Sequence, residues 1–174
     1  AVPQKGASVV IGQGANTNSN FTVALGVNAS AKNYAATAIG GSSEATGKYS
    51  LAMAQGTANG YGAVAIGMNS VADKEATVTL GIGSKAMDGR ATAIGKNANA
   101  SKADAISIGS CSGASGVDST AIGDCAKAQG DSSIAMGTTS KAVTDKSVAI
   151  GDNSIANGKD AIAIGSKAKA IGNG

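Results

Sequence analysis

Along this chain a large aliphatic residue followed by a small one returns at a fixed interval. The anchors are Ile11, Leu25, Ile39, Met53, Ile66, Leu80, Ile94, Ile108, Ile122, Met136, Ile150 and Ile164. Every step is 14 residues except Met53 to Ile66, which is 13. Such a period marks a solenoid, in which each repeat is one coil stacked on the last. Counting each coil from its anchor, position 14 is nearly always alanine, as in Ala24, Ala38, Ala121 and Ala149. Position 12 is small, as in Ser50, Ala63, Ala105 and Ser133. Between them position 13 is mostly β-branched: Val23, Thr37, Val64, Ile106, Val148. Alternate side chains of a strand point to opposite faces. Positions 13 and 1 therefore form one large apolar face, and positions 12, 14 and 2 form a face of very small residues. A strand apolar on both faces must be buried on both.

The second half of each coil predicts a half-buried strand. Positions 5 and 7 stay small (Ala98 and Ala100, Ala126 and Ala128), while positions 4, 6 and 8 vary and are largely polar. Glycine or polar residues at positions 2–4 and 8–11 supply the turns. Glycine follows eleven of the twelve anchors, the exception being Ala54 in the 13-residue coil, whose missing residue should be absorbed in a turn. A two-strand coil of this length encloses room for only a few small side chains, so the alanine and serine face should point inward. That leaves the Ile/Leu/Val face outside. Burying one such side chain is worth roughly 1.5–3 kcal/mol, and a bare column of them is an aggregation liability. Several copies meeting along these stripes resolve it, so oligomerisation belongs to the predicted fold.

Composition narrows the function. The chain has 26 glycines, one proline, four aromatics and no tryptophan, unlike an ordinary globular core and suited to a solenoid. Net charge is +3, but Arg90 is the only arginine and acids and bases are interspersed, which argues against nucleic-acid binding. No apolar run is long enough for a membrane helix. The start, Ala1-Val2-Pro3-Gln4-Lys5, is no signal peptide and suggests a processed chain or an excised piece of a repeat domain spanning 1–174. With no histidine, most hydrolase triads, His-bearing zinc sites and general-base schemes lose a member. Hexapeptide acyltransferases share the aliphatic-glycine start but have a period of six and rely on a histidine base. Calcium-binding rolls need aspartate at fixed spacing, which Asp118, Asp124, Asp131, Asp145, Asp152 and Asp160 do not keep. Ice-binding arrays need unbroken threonine, and position 13 interrupts it with Val and Ile. No enzyme, cofactor or metal is expected.

Four features remain as candidates. Phe21, Tyr34, Tyr49 and Tyr61 fall at positions 10 or 11 of four successive coils and should line one corner. They would serve either as a protein-binding hot spot or as packing over a neighbouring subunit. Cys111 and Cys125 share position 4, one coil apart, on the wet face of the outer strand, where equivalent Cα atoms about 5 Å apart come within disulfide range. A pairing within the chain is favoured over one between chains or two free thiols. Val71, Met87, Val143 and Ile155 are apolar intruders on the outer strand, and Lys85, Lys127, Lys141 and Lys169 recur at position 6.

Segments such as Lys146-Ser147-Val148-Ala149-Ile150-Gly151-Asp152-Asn153-Ser154-Ile155-Ala156-Asn157-Gly158 and Asp118-Ser119-Thr120-Ala121-Ile122-Gly123 resemble the YadA-type head repeat of trimeric autotransporter adhesins. The resemblance covers practically the whole chain. It implies an all-β, left-handed parallel β-roll of about twelve coils, packed as a parallel homotrimer with two further identical chains. It further implies a coiled-coil stalk and a C-terminal β-barrel anchor beyond these residues, in the outer membrane of a Gram-negative bacterium. Members of the family bind host matrix proteins such as collagen, fibronectin or laminin, or CEACAM-type receptors, and some self-associate. Cysteines depart from the usual head pattern. A structural spacer or self-associating fibre segment with no discrete ligand is the alternative function.

Overall fold

A computed structural model describes residues 6–172, and all the coils within them but the 13-residue one are built in the same way. Residues 1–5, on which the expectation of a processed or excised start rested, lie outside the described residues, as do 173–174. Each coil contributes a strand at positions 13, 14 and 1, a bend and turn, a short strand at positions 6 and 7, and a second turn. No helix occurs among the described residues. The protein is a parallel β-solenoid of about twelve coils, as the period predicts.

The chain divides into two compact units, Ala1–Met87 and Asp88–Gly174. In the first, strands run from Val9–Ile11 to Val78–Leu80 on one side and from Asn16–Thr17 to Lys85–Ala86 on the other. Each pairs in parallel with its equivalent one coil on, so that Val9 stands opposite Val23 and Ser30 opposite Glu44. In the second unit the strands run from Thr92–Ile94 to Ile162–Ile164 and from Asn99–Ala100 to Lys169–Ile171, with Ile108 opposite Ile122 and Ala114 opposite Ala128.

The interior is made of very small side chains. Among the described residues every buried apolar side chain is an alanine, and the largest fully buried side chains are threonines, Thr17, Thr22, Thr77 and Thr79. Positions 5, 7, 12 and 14 supply these residues. Where serine or threonine replaces alanine at positions 5 or 12, its hydroxyl in most coils donates to the carbonyl three residues earlier. Examples are Ser50 to Gly47 O at 2.7 Å, Ser112 to Gly109 O at 2.8 Å and Ser133 to Gly130 O at 2.6 Å. Each bond closes a turn for a net ~0.5–1.5 kcal/mol, so the polar atom is tolerated inside. Ser43 instead reaches Ile39 O at 2.9 Å, and the buried Ser70 hydroxyl has no protein partner. The Ile/Leu/Val face points out of the coil, and none of the twelve anchors is buried. Even with Ile11 and Ile39 stacked on either side of it, Leu25 keeps 40% of its surface exposed.

Both turns use left-handed backbone. Position 11 has φ of 53–60° at Ala35, Tyr49, Arg90, Asp104 and Asp160, and position 4 has similar values at Asn28, Asn97, Cys111 and Cys125. This corrects the sequence reading of the cysteines: position 4 belongs to the turn, not to the outer strand. The 13-residue coil also becomes clear. Met53 passes directly into Ala54 and Gln55, both left-handed, so the deleted residue is the bend glycine itself. The lone anchor without a following glycine is the one whose glycine position is absent. The Gln55 N–H is met instead by the Ser43 hydroxyl at 3.0 Å.

Candidate binding surface

The four aromatics of the first unit form one continuous ladder. Phe21 and Tyr34 lie 5.4 Å apart between ring centroids, Tyr34 and Tyr49 5.6 Å, and Tyr49 and Tyr61 5.5 Å, with interplanar angles of 76°, 74° and 70°. All three contacts are edge-to-face. The alternation of positions produces this geometry: Phe21 and Tyr49 occupy the left-handed residue of the turn, Tyr34 and Tyr61 the residue before it. In the latter two coils the left-handed place falls to Ala35 and Gly62, which leaves room for rings from the coils on either side. A bulky residue on left-handed backbone costs ~1–2 kcal/mol. Three edge-to-face contacts at about 0.5–1.5 kcal/mol each offset the two such costs.

The ladder is open to solvent. Tyr49 and Tyr61 keep just over half their surface exposed, 53% and 55%. Beside it, two to three residues back along each coil, runs a polar ladder at position 8. The Thr46 hydroxyl donates to Asn59 Oδ1 at 2.9 Å, and Asn59 Nδ2 donates to Asp73 Oδ1 at 3.1 Å. The Asn59 bond, and more weakly the Lys74 ammonium, hold the Asp73 carboxyl below its ordinary pKa against the opposing effect of burial. Apolar rings beside a hydrogen-bonded polar edge suit a protein partner.

In the second unit the same corner is charged. Arg90 grips Asp104 of the next coil, Nε donating to Oδ1 at 2.7 Å, and this lowers the Asp104 pKa. Asp131 accepts from Val117 N–H at 2.8 Å, and Asp145 accepts from Asp131 N–H at 3.0 Å.

The other candidates separate. Lys85, Lys141 and Lys169 are exposed; Lys127 is half-buried across Gly113, with Nζ donating to Cys111 O at 2.8 Å. Val71, Val143 and Ile155 are half-buried and Met87 exposed. Cys111 and Cys125 carry free thiols, the first exposed and the second half-buried. One set of residues went unforeseen. Position 3 reads as a polar turn, yet Val27, Met68 and Ile82 of the first unit stand there exposed. The second unit has Lys96, Ser110, Asp124, Thr138, Asp152 and Ser166 in the same place. Comparing that column between the two halves of the sequence would have revealed it.

A scan of protein families matches the YadA head domain repeat at residues 6–29, 31–53, 54–75, 89–110, 114–140, 128–154, 145–168 and 156–174. The chain belongs to the YadA head repeat family. The resemblance noted from the Ala-Ile-Gly segments is thus shown for the chain as a whole. Among solved structures, this YadA-like head is similar to the collagen-binding domain of the Yersinia adhesin YadA. The two are 25% identical over 84% of this chain and 81% of that one, with a TM-score of 0.54. A search of curated proteins returns no match. Membership of a YadA head family supports an adhesin exposed on the bacterial surface.

Proposed function

We propose that this chain is the head of a trimeric autotransporter adhesin that attaches a Gram-negative bacterium to host matrix or a host receptor protein. Three copies meet along the Ile/Leu/Val stripes, and the partner docks on the outside, at the Phe21–Tyr34–Tyr49–Tyr61 ladder of the first unit. The observation that carries this reading is that in each unit the anchors point outward, none of the twelve buried, from coils whose own interior is already filled by small side chains. Those anchors require a covering surface, and a rotational assembly of identical chains supplies one. Three equivalent ladders then raise the effective concentration of a weak contact, so modest affinity per site holds a cell. The collagen-binding domain of the Yersinia adhesin makes collagen the first ligand to try. The absence of histidine from the chain supports a role in binding rather than catalysis.

The test has two parts. Light scattering on a sizing column should give the mass of three chains, and Ile122→Asp with Ile150→Asp should reduce it to one. A monomeric native chain overturns the seam. Immobilised collagen, fibronectin, laminin and CEACAM-type ectodomains then serve as the panel, with Tyr34, Tyr49 and Tyr61 changed together to serine. Binding lost with the trimer intact supports the ladder as the site. Loss of the trimer assigns the rings to packing between subunits, and no binding by the native protein favours the spacer alternative.

A further inference from the structure

The two cysteines stand in the same turn of adjacent coils, and the strands on both sides hold that turn in register. Ile108 pairs with Ile122 before it, and Gly113 with Lys127 after it. Within it, the Gly123 N–H donates to Ile108 O and the Cys125 N–H to Ser110 O, both at 2.8 Å. Cys111 and Cys125 share the same left-handed backbone, φ 55° and 53°, so their Cβ bonds leave the turn in the same direction. Equivalent residues of stacked parallel strands lie ~4.8 Å apart, inside the ~4.4–6.8 Å between Cα atoms that a disulfide spans. The thiols already sense each other: burial and then a hydrogen bond with the Cys111 side chain push the Cys125 thiol pKa up.

Two replacements weaken the strands of this coil. Gly113 is the only glycine at position 6, and a glycine inside a strand weakens it. At position 14 nearly every other coil has alanine, but here Ser107 is buried and needs the Ser112 hydroxyl at 2.7 Å to satisfy it. Lys127 of the next coil leans into the space that Gly113 leaves; a methyl group there would lie 3.0 Å from its Nζ and 3.2 Å from its Cδ.

We propose that Cys111 and Cys125 are a redox modification site: they oxidise to an intrachain disulfide that clips this weak coil to the next. The oxidant is a disulfide donor, small molecule or protein. The more exposed Cys111 attacks as thiolate on one donor sulfur, the donor S–S bond breaks and the first donor thiolate leaves. The Cys125 thiolate then displaces the second from the Cys111 sulfur. Two protein thiols are oxidised, one donor disulfide is reduced to two thiols, and the protons of the protein thiols end on the donor. The clip is independent of what the head binds.

The test uses the assembled protein treated with glutathione disulfide. The intact chain should lose the mass of two hydrogens, its thiols should become unreactive until reductant is added, and both cysteines should appear cross-linked within the tryptic peptide ending at Lys127. Amide exchange over residues 106–116 should slow roughly tenfold or more on oxidation. Cys111→Ser and Cys125→Ser should each abolish that slowing. Serine already occupies this turn position at Ser42, φ 58°, so the variants keep the fold. Thiols that stay titratable, disulfides joining two chains on a non-reducing gel, or exchange unchanged by oxidation would each overturn the proposal.

Discussion

Replacing Gly123 with alanine should unfold this solenoid at a single joint. Gly123 follows the anchor Ile122 with φ 134°, far from the left-handed region that Ala35 or Asn28 adopt. A Cβ built on it would lie 2.6 Å from Gly137 O and 2.7 Å from the Gly137 carbonyl carbon of the next coil. Neither group is a flexible side-chain end, so relief requires the coils to part. The backbone conformation alone costs ~1–3 kcal/mol for a residue with a side chain. Parting the coils weakens the bonds from Gly123 N–H to Ile108 O and from Gly137 N–H to Ile122 O, both 2.8 Å, at about 0.5–1.5 kcal/mol each. The expected loss is roughly 2–6 kcal/mol, a fall in melting temperature on the order of 10 °C for a chain of this size. Two controls separate this from a general intolerance of alanine. Gly89 has nothing within 4 Å of its would-be Cβ, so Gly89→Ala should be neutral. Gly62 has φ 63° with open space around it, where equivalent turns hold Ala35 and Ala76, so Gly62→Ala should cost about 1 kcal/mol. Thermal melting followed by the strand circular-dichroism signal is the assay. If Gly123→Ala melts with the native protein, or Gly89→Ala falls as far, the steric account of the joint is wrong.

Two further perturbations probe the interior and the charged corner. Ala121→Leu puts a side chain larger than any threonine among the buried residues Ser112, Ala114, Ser119 and Ala126; it should cost ~3 kcal/mol or more in urea unfolding. Ala121→Ser should cost about 1–3 kcal/mol, because Ala126 stands where Ser112 satisfies Ser107 and leaves the new hydroxyl unpaired. At the corner, Asp104 owes its lowered pKa first to the hydrogen bond from Arg90. A depressed carboxylate contributes stability above its unfolded pKa and loses it as pH falls through the folded one. Carbon-detected NMR should therefore find Asp104 titrating below ordinary aspartates, and Arg90→Ala should move its midpoint up towards the usual value.

Much of this fold is legible in the sequence because the period repeats one physical constraint many times. Ala38, Ala121 and Ala149 at position 14 face a space that admits nothing large, so alanine recurs and the inward face can be read from it. The anchors Ile94 and Ile150 are legible for the converse reason, since nothing inside the coil has room for them. The left-handed residue at position 4 was hidden because residues as different as Asn28, Cys111 and Lys167 take it, at φ 55–59°. A turn conformation held by neighbouring strands leaves no residue signature of its own. The ladder was legible as a column of aromatics but not as an edge-to-face stack. That depends on rings leaving from alternating backbone positions, which a single residue type per coil does not reveal. Val27, Met68 and Ile82 were lost to the general rule that turns are polar.

The uniform joint has a consequence for how such a surface changes over generations. Within each unit the 14-residue coils meet one another through the same interior of small side chains and the same glycine bend, so one such coil fits beneath another. Copying, deleting or transplanting one 14-residue stretch leaves both cut ends compatible, because the cut passes through identical chemistry. Recognition can then be edited as whole words instead of letter by letter. The aromatic coils here and the charged coils of the other half read as two vocabularies written on one page.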